Sequence, residues 1–234
     1  MRADRILRIV PAALSSPPGR RFFRPFLNRG EALTTLVLLF LVGAVLWIPL
    51  LHYLDRARLD SALTKAHLLS QLLPQYALDN DDAYPVGQGT TAVGTSEGIA
   101  RSLLADHYAA DPAVFVLTSP AHRPAADDFS DFTGAHIDWD FTAGATTSTP
   151  LTAAAPAKLP VFYCTGEVVS YEMSLGLPLS GRGAFERKGI VVAYKDGTVV
   201  YIEAVGKGEQ ALAPGFMPKG LVAHGPYTQI KPSR

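Results

Sequence analysis

The chain has 234 residues, 48% of them hydrophobic and 18% charged, which suits one anchor and one modest globular domain. Its 21 basic and 21 acidic residues balance, so the whole chain has no field that would attract nucleic acid, and no nucleic-acid partner is expected. A single cysteine, Cys164, excludes an intramolecular disulfide, a CxxC redox pair and a cysteine-based zinc site. We expect this cysteine to be a small apolar filler.

The N-terminal segment is strongly basic. Seven arginines precede Gly30, against a single acid, Asp4. Basic residues beside an apolar run stay on the cytoplasmic side of a membrane. Residues 1–30 are therefore predicted to be a basic cytoplasmic leader, and the chain after Leu51 is predicted to lie across the membrane.

An uncharged apolar run covers residues 32–51. Its length corresponds to about 30 Å of helix, the thickness of a bilayer's hydrocarbon core. No A-x-A-like cleavage site follows, in contrast with a secretory signal. Residues 31–51 are therefore predicted to be one retained transmembrane helix, in which Gly43 would allow close helix approach. Pro49 lies in the last turn, where its missing hydrogen bond bends the helix or is absorbed by neighbours.

Residues 52–84 are predicted to extend this helix beyond the membrane in amphipathic form. Apolar side chains recur at spacings of three and four and form one stripe that needs a partner surface: Leu59, Ala62, Leu63, Ala66, Leu69, Leu73 and Tyr76. Pro74 is a possible kink, and the short polar residues at 79–82 are expected to end the helix.

Residues 85–234 are predicted to form an extracytoplasmic α+β domain. A short helix is expected at Ile99–Tyr108, followed by an extended segment, DPAVFVLTSP, at 111–120. A long loop is expected at about 118–160, where Gly, Thr, Ala and Pro dominate, and an irregular tail is expected after Gly206. The fold class is therefore α+β, with a long N-terminal helix packed on a small antiparallel sheet.

The clearest local signal is a hairpin. Two β-rich runs, Ile190–Tyr194 and Thr198–Ile202, flank Lys195, Asp196 and Gly197. An Asp-Gly pair at the turn favours type I′, because both central residues of that turn need positive φ.

No pattern in the chain assembles a catalytic site. A nucleophile elbow, a P-loop and a HExxH helix are all absent. His136, Asp138 and Asp140 alternate, which suits either one metal-binding face of a strand or an ordinary half-buried strand with Trp139 turned inward. Neither catalytic residues nor a metal or cofactor is expected, and the sequence does not support an enzyme.

Four segments, in this order, carry a resemblance to a known superfamily: RGEALTTLVLLFLVGAVLWIPLL at 29–51, LTKAHLLSQLLPQYALDNDDAYP at 63–85, LLADHYAADPAVFVLTSP at 103–120 and GIVVAYKDGTVVYIEA at 189–204. Together they resemble the type IV pilins and type II secretion pseudopilins, closest to the bacterial group with a prepilin-type N-terminus and a C-terminal DGH hairpin. The resemblance implies a pilin-like fold and a non-enzymatic structural subunit held in the bacterial inner membrane by a single pass, with the N-terminus cytoplasmic and the C-terminal domain periplasmic.

The resemblance also implies a processing site and a set of partners. Prepilin peptidase would cut after Gly30 and methylate the new N-terminus at Glu31. The apolar helix would contact the lipid bilayer and other pilin-like subunits in a type II secretion or type IV pilus-like system. The assembly helix would then include four residues of interest: Thr35, Leu36, Gly43 and Pro49.

Two departures from the family pattern leave two functions open: Glu31 stands where Phe or Met is usual, and Thr35 stands where a Glu usually pairs with a neighbouring subunit's amine. In the other segments, Thr198 replaces the hairpin His, and Leu117 and Thr118 stand where Cys and Pro are usual. The chain is then either a minor or tip subunit of such a filament, or an uncleaved single-pass anchor for a periplasmic binding or sensor domain that does not assemble.

Overall fold

The structure is a computed structural model, and it describes residues 29–87, 94–117, 133–171, 176–179, 184–217 and 226–232. The chain divides into two compact units, Met1–Leu50 and Leu51–Arg234. The predicted leader, apart from Arg29 and Gly30, falls outside the described residues, so its role stays a prediction.

The described residues form two α-helices and seven strands: α1 (Arg29–Asp79), α2 (Ser96–Ala105), β1 (Asp140–Ala143), β2 (Pro160–Tyr163), β3 (Leu177–Pro178), β4 (Gly189–Tyr194), β5 (Val199–Glu203), β6 (Leu212–Ala213) and β7 (Thr228–Ile230). Five strands make one antiparallel sheet in the order β5-β4-β2-β1-β7, and β3 pairs with β6. This architecture confirms the predicted α+β class.

The amphipathic stripe of α1 is confirmed as the face that joins the core of the second unit. Five of its seven predicted residues are buried, and Leu59 and Leu63 are half-buried against the same cluster. The helix runs through Pro74 and ends at Asp79, where the predicted polar stretch begins. The Ala77 carbonyl accepts hydrogen bonds from the N–H groups of Asn80 and Asp82, which closes the helix end.

The predicted long loop at about 118–160 is interrupted by a strand, which the prediction missed. Strand β1 lies there, between β2 and β7 in the sheet, and all four of its residues are buried. Trp139, just before it, is also buried, and its indole N–H donates to the Val114 carbonyl at 3.1 Å. Residues 118–132, the first part of the predicted loop, lie outside the described residues.

Two other sequence predictions need correction. The segment expected to be extended at 111–120 contains a 3₁₀ turn at Pro112–Phe115, because the Asp111 carboxylate caps the Ala113 N–H at 2.8 Å. The predicted irregular tail after Gly206 supplies β6 and also β7, which is an edge strand of the main sheet. The predicted short helix is confirmed, although it begins at Ser96 with Thr95 as its N-cap.

A chain of buried hydroxyl groups crosses the core behind β1. The Thr142 hydroxyl donates to the Pro160 carbonyl at 2.6 Å, so it must accept its second hydrogen bond, at 2.8 Å, from Tyr171. Tyr171 in turn lies 2.7 Å from the Tyr163 hydroxyl, which donates to it. Burial raises the pKa of Tyr163 well above its ordinary value of 10.0.

This raised pKa predicts alkaline destabilisation. The unfolded chain loses the Tyr163 proton near pH 10.0 while the folded state retains it, so the free energy of unfolding falls as pH rises above that value. Tyr163→Phe should cost about 1 kcal/mol at pH 7, where it removes one hydrogen bond, and should flatten the decline above pH 10.0. Denaturant unfolding at pH 7 to 11 measures both effects, and identical alkaline slopes would contradict this assignment.

Candidate functional site

The N-terminal part of α1 presents an exposed apolar surface. From Leu33 to Leu51, every side chain that the structure describes is exposed, including Leu36 at 69% and Phe40 at 75%. The most apolar stretch of this helix has none of its residues buried, and the helix is long and apolar enough to cross a membrane. Water solvates such a surface poorly, so this surface needs lipid or other protein around it.

The predicted site residues in this region all lie on α1. Gly30 and Glu31 are in its first turn, and Thr35, Leu36, Gly43 and Pro49 follow within the apolar stretch. A β-carbon added at Gly43 would meet no atom within 4 Å, which makes this position a small, open point on the helix surface. Helix α1 continues through Pro49. The predicted roles of these six residues in processing and assembly stay predictions.

The burial of α1 changes after the apolar stretch. Beyond it, Ala62, Ala66 and Leu69 are almost fully buried in the second unit. Two polar contacts fasten this part of the helix: the Lys65 ammonium donates to the Val116 carbonyl at 2.6 Å, and Lys188 pairs with Asp55 at 2.7 Å. One helix therefore carries two kinds of surface, a packed one and an exposed apolar one.

The predicted hairpin is confirmed between β4 and β5, but the predicted type I′ turn is wrong. Gly197 has φ +82°, whereas Asp196 is not among the described residues with positive φ. The Tyr194 carbonyl accepts from the Gly197 N–H at 2.9 Å, and the Tyr194 N–H donates to the Thr198 carbonyl at 2.8 Å. This pattern is a three-residue loop in which a type I turn precedes a left-handed glycine.

Contacts with the loop at 153–159 explain the turn geometry. The Lys195 and Asp196 N–H groups donate to the Leu159 and Ala157 carbonyls at 2.9 and 2.8 Å. Lys158 pairs with the Asp196 carboxylate at 2.5 Å. This hydrogen-bonded pair lowers the pKa of Asp196 below its ordinary 3.8, so its contribution is present above pH 3.8 and is lost as pH falls through the lowered pKa. Because both side chains are partly exposed, that contribution is small.

Gly197 allows a direct test of the turn. Since nothing lies within 4 Å of an added β-carbon there, Gly197→Ala should lower the free energy of unfolding only through its left-handed φ, by about 1 kcal/mol. Gly197→Asn should cost less, because asparagine enters this region more readily. Paired denaturation curves measure the difference, and equal stabilities of the alanine and wild-type proteins would contradict the turn assignment.

The alternating His136, Asp138 and Asp140 do not form one polar strand face. Asp138 and Asp140 are both buried and accept backbone hydrogen bonds, from Leu117 N–H at 2.7 Å and from Gly166 N–H at 3.3 Å respectively. Within the described residues, no group of three or more His, Cys, Asp or Glu side chains could hold a metal ion. The two carboxylates therefore act as structural acceptors.

Cys164 is confirmed as a buried core residue. Its side chain is 1% exposed, and its sulfur lies 3.4 Å from the Val191 N–H, which donates to it. Burial raises the pKa of this thiol, so it stays protonated and unreactive at neutral pH.

The sequence did not predict three lysines whose side chains link distant parts of the second unit. Lys65, Lys188 and Lys195 each reach a partner distant in the chain, and Lys195 donates to the carbonyls of Ala153 and Ala155. A lysine that binds a backbone carbonyl leaves no spacing signal in a sequence. The apolar surface of α1, in contrast, is visible from composition alone.

Comparison with known proteins finds no match among family models, curated proteins or solved structures. The expected resemblance to pilins and pseudopilins therefore rests on the four sequence segments and their order.

Proposed function

We propose that this protein is a pseudopilin-like structural subunit, anchored in the bacterial inner membrane by the apolar part of α1, with its second unit in the periplasm. It is a minor or tip subunit of a type II secretion or type IV pilus-like system. In this function α1 performs two tasks, holding the subunit in lipid and contacting other subunits, and no catalysis is involved.

The observation that carries the proposal is the division of α1 into two surfaces. Its later residues are buried in the core cluster of their own chain, whereas every described side chain from Leu33 to Leu51 is exposed. A helix that served only to complete the domain would need no further apolar turns. About 30 Å of apolar helix matches a bilayer, and the open position at Gly43 supports close approach of a second helix.

The second candidate function is an uncleaved membrane anchor for a periplasmic binding or sensor domain. Glu31 and Thr35 favour it, because they replace the residues that the family uses after the cut and for pairing between subunits. A cleft of about 500 Å³, lined in part by Tyr76, Tyr84 and Asp81, offers a place for a small ligand. The N-terminal residue of the protein recovered from its own membrane distinguishes the two functions, since only a processed subunit begins at Glu31.

A further inference from the structure

A cleft of about 440 Å³ lies beside α1, just after the apolar stretch, and all of its lining residues belong to the second unit. Asp55 is the first Asp, Glu, Lys or Arg after Leu51, and it lines the cleft together with Asp60. The helix rises by about 8 Å between these two residues. Headgroups add roughly 5 to 8 Å to each side of a bilayer's hydrocarbon core. In a chain anchored as proposed above, the cleft therefore lies at the level of the headgroups, and this placement rests on the proposed function.

The floor of the cleft is apolar and held in place by the second unit. Leu59, Phe185 and Tyr201 line it, and all three pack against the core cluster. The ring centroids of Phe185 and Tyr201 lie 5.6 Å apart, in edge-to-face contact. The Lys188 ammonium, in the segment before β4, pairs with the Asp55 carboxylate of α1 at 2.7 Å. These contacts preorganise the cleft, which lowers the cost of binding a ligand.

Four charged side chains around this floor have no ion-pair partner among the described residues: Arg56, Arg58, Asp60 and Glu186. Arg58 is half-buried, and the other three are exposed. Two guanidinium groups thus stand with two carboxylates, so these four groups carry no net charge. A purely basic cluster would indicate an anionic headgroup. The balance of signs instead indicates a ligand that carries both charges itself.

We propose that this cleft binds the headgroup of a zwitterionic phospholipid, one that carries a phosphate and a primary ammonium. Arg56 and Arg58 donate hydrogen bonds to the phosphate oxygens, which guanidinium groups bind well. Asp60 and Glu186 accept hydrogen bonds from the ammonium. The apolar floor contacts the glycerol backbone and the first methylenes of the acyl chains. A lipid bound in this way fixes the depth at which the second unit sits on the bilayer.

Two features favour a lipid over a soluble phosphate compound. The cleft begins four residues after Leu51, the end of the apolar stretch, so a lipid beside that stretch has its headgroup within reach of the cleft. The floor is also apolar, and a small soluble zwitterion would leave that surface uncovered.

Native mass spectrometry of the full chain in detergent micelles measures lipid binding directly. Three phospholipids with identical acyl chains are titrated, with ethanolamine, choline or glycerol in the headgroup. The choline headgroup has a positive charge without N–H donors, and the glycerol headgroup has no positive charge. We expect the ethanolamine lipid to bind about tenfold more tightly than either, because only its ammonium donates charge-assisted hydrogen bonds to Asp60 and Glu186.

Two variants separate the two halves of the headgroup. Arg58→Gln should weaken binding of all three lipids about tenfold, because it removes a phosphate contact. Glu186→Gln should remove the preference for the ethanolamine lipid and leave binding of the choline lipid unchanged. The matched controls are Arg187→Gln and Glu209→Gln, since both residues are exposed and lie outside the cleft lining. Both control proteins should bind lipid as the wild type does.

Equal affinities for the three lipids, or equal losses in the control variants, would overturn the site. Displacement of the ethanolamine lipid by an equal concentration of inorganic phosphate or phosphoethanolamine would overturn the lipid as its ligand. Flotation of the wild type with vesicles reads the anchor separately. A chain that floats without a headgroup preference would refute the cleft proposal alone. A headgroup preference in a chain that does not float would support the cleft and contradict the proposed function.

Discussion

Leu69→Asp is expected to lower the free energy of unfolding of the second unit by about 4 kcal/mol, because it leaves an unpaired charge in the core. Leu69 is fully buried at the interface between α1 and the core cluster. A loss of this size is a large share of the stability of an ordinary domain. Denaturant unfolding of the full chain in detergent micelles measures it.

The neighbouring Leu68→Asp is the matched control, since Leu68 is 50% exposed. It should change stability by less than about 0.5 kcal/mol. Only two tryptophans occur in the chain, and Trp139 is the buried one, so a Trp47→Phe background makes the fluorescence report on the core alone. Equal midpoints for the two aspartate variants would show that the stripe does not pack as described.

Replacing Leu38 and Val42 together by arginine is expected to release the protein from the membrane. Both lie in the apolar stretch of α1, one turn apart and near its centre. Each charge costs about 3 kcal/mol at the middle of a bilayer on insertion scales. Flotation on a density gradient measures the fraction bound to lipid and separates it from aggregates, which sediment.

The matched control introduces arginine at Leu68 and Leu78, which are exposed on the later part of α1. These two replacements add the same charge to the same helix, so the control protein should float as the wild type does. If the Leu38 and Val42 variant also floats fully, the apolar stretch is not the membrane anchor.

The helix and the hairpin were predictable because their signals are local. The three-and-four spacing that includes Ala66, Leu69 and Leu73 marks a helix face whatever the rest of the chain does. The same holds for two β-rich runs separated by Asp196 and Gly197. The sequence also predicted that the apolar stretch would not pack on the soluble domain. A helix on the surface of a soluble domain carries a polar face, and this uncharged run has none.

Strands β1 and β7 were not predictable for the opposite reason. Both are short, and β1 is buried on both faces, so the alternation that marks a strand is missing. Phe141 of β1 pairs with Phe162 and with Ile230, and no local pattern in the sequence brings these residues together. Their structure comes from tertiary contacts.

The hairpin turn shows the same limit on a smaller scale. Asp196 and Gly197 favour a type I′ turn on local preference. Backbone hydrogen bonds to Ala157 and Leu159 instead hold a type I turn followed by a left-handed glycine. For the candidate site, local sequence predicts the apolar surface of α1 and the residues on it. It does not predict that β5 is the last strand of the sheet, because the order of the strands depends on contacts between distant parts of the chain.

The most direct test of the proposed function is the intact mass and N-terminal residue of the protein, recovered from the membrane of a host with active prepilin peptidase. A processed pseudopilin-like subunit would begin at Glu31 with a methylated amine and would lack the basic residues 1–30, leaving the rest of α1 complete. A chain that still begins at Met1 in that host would contradict the proposal and favour an uncleaved anchor.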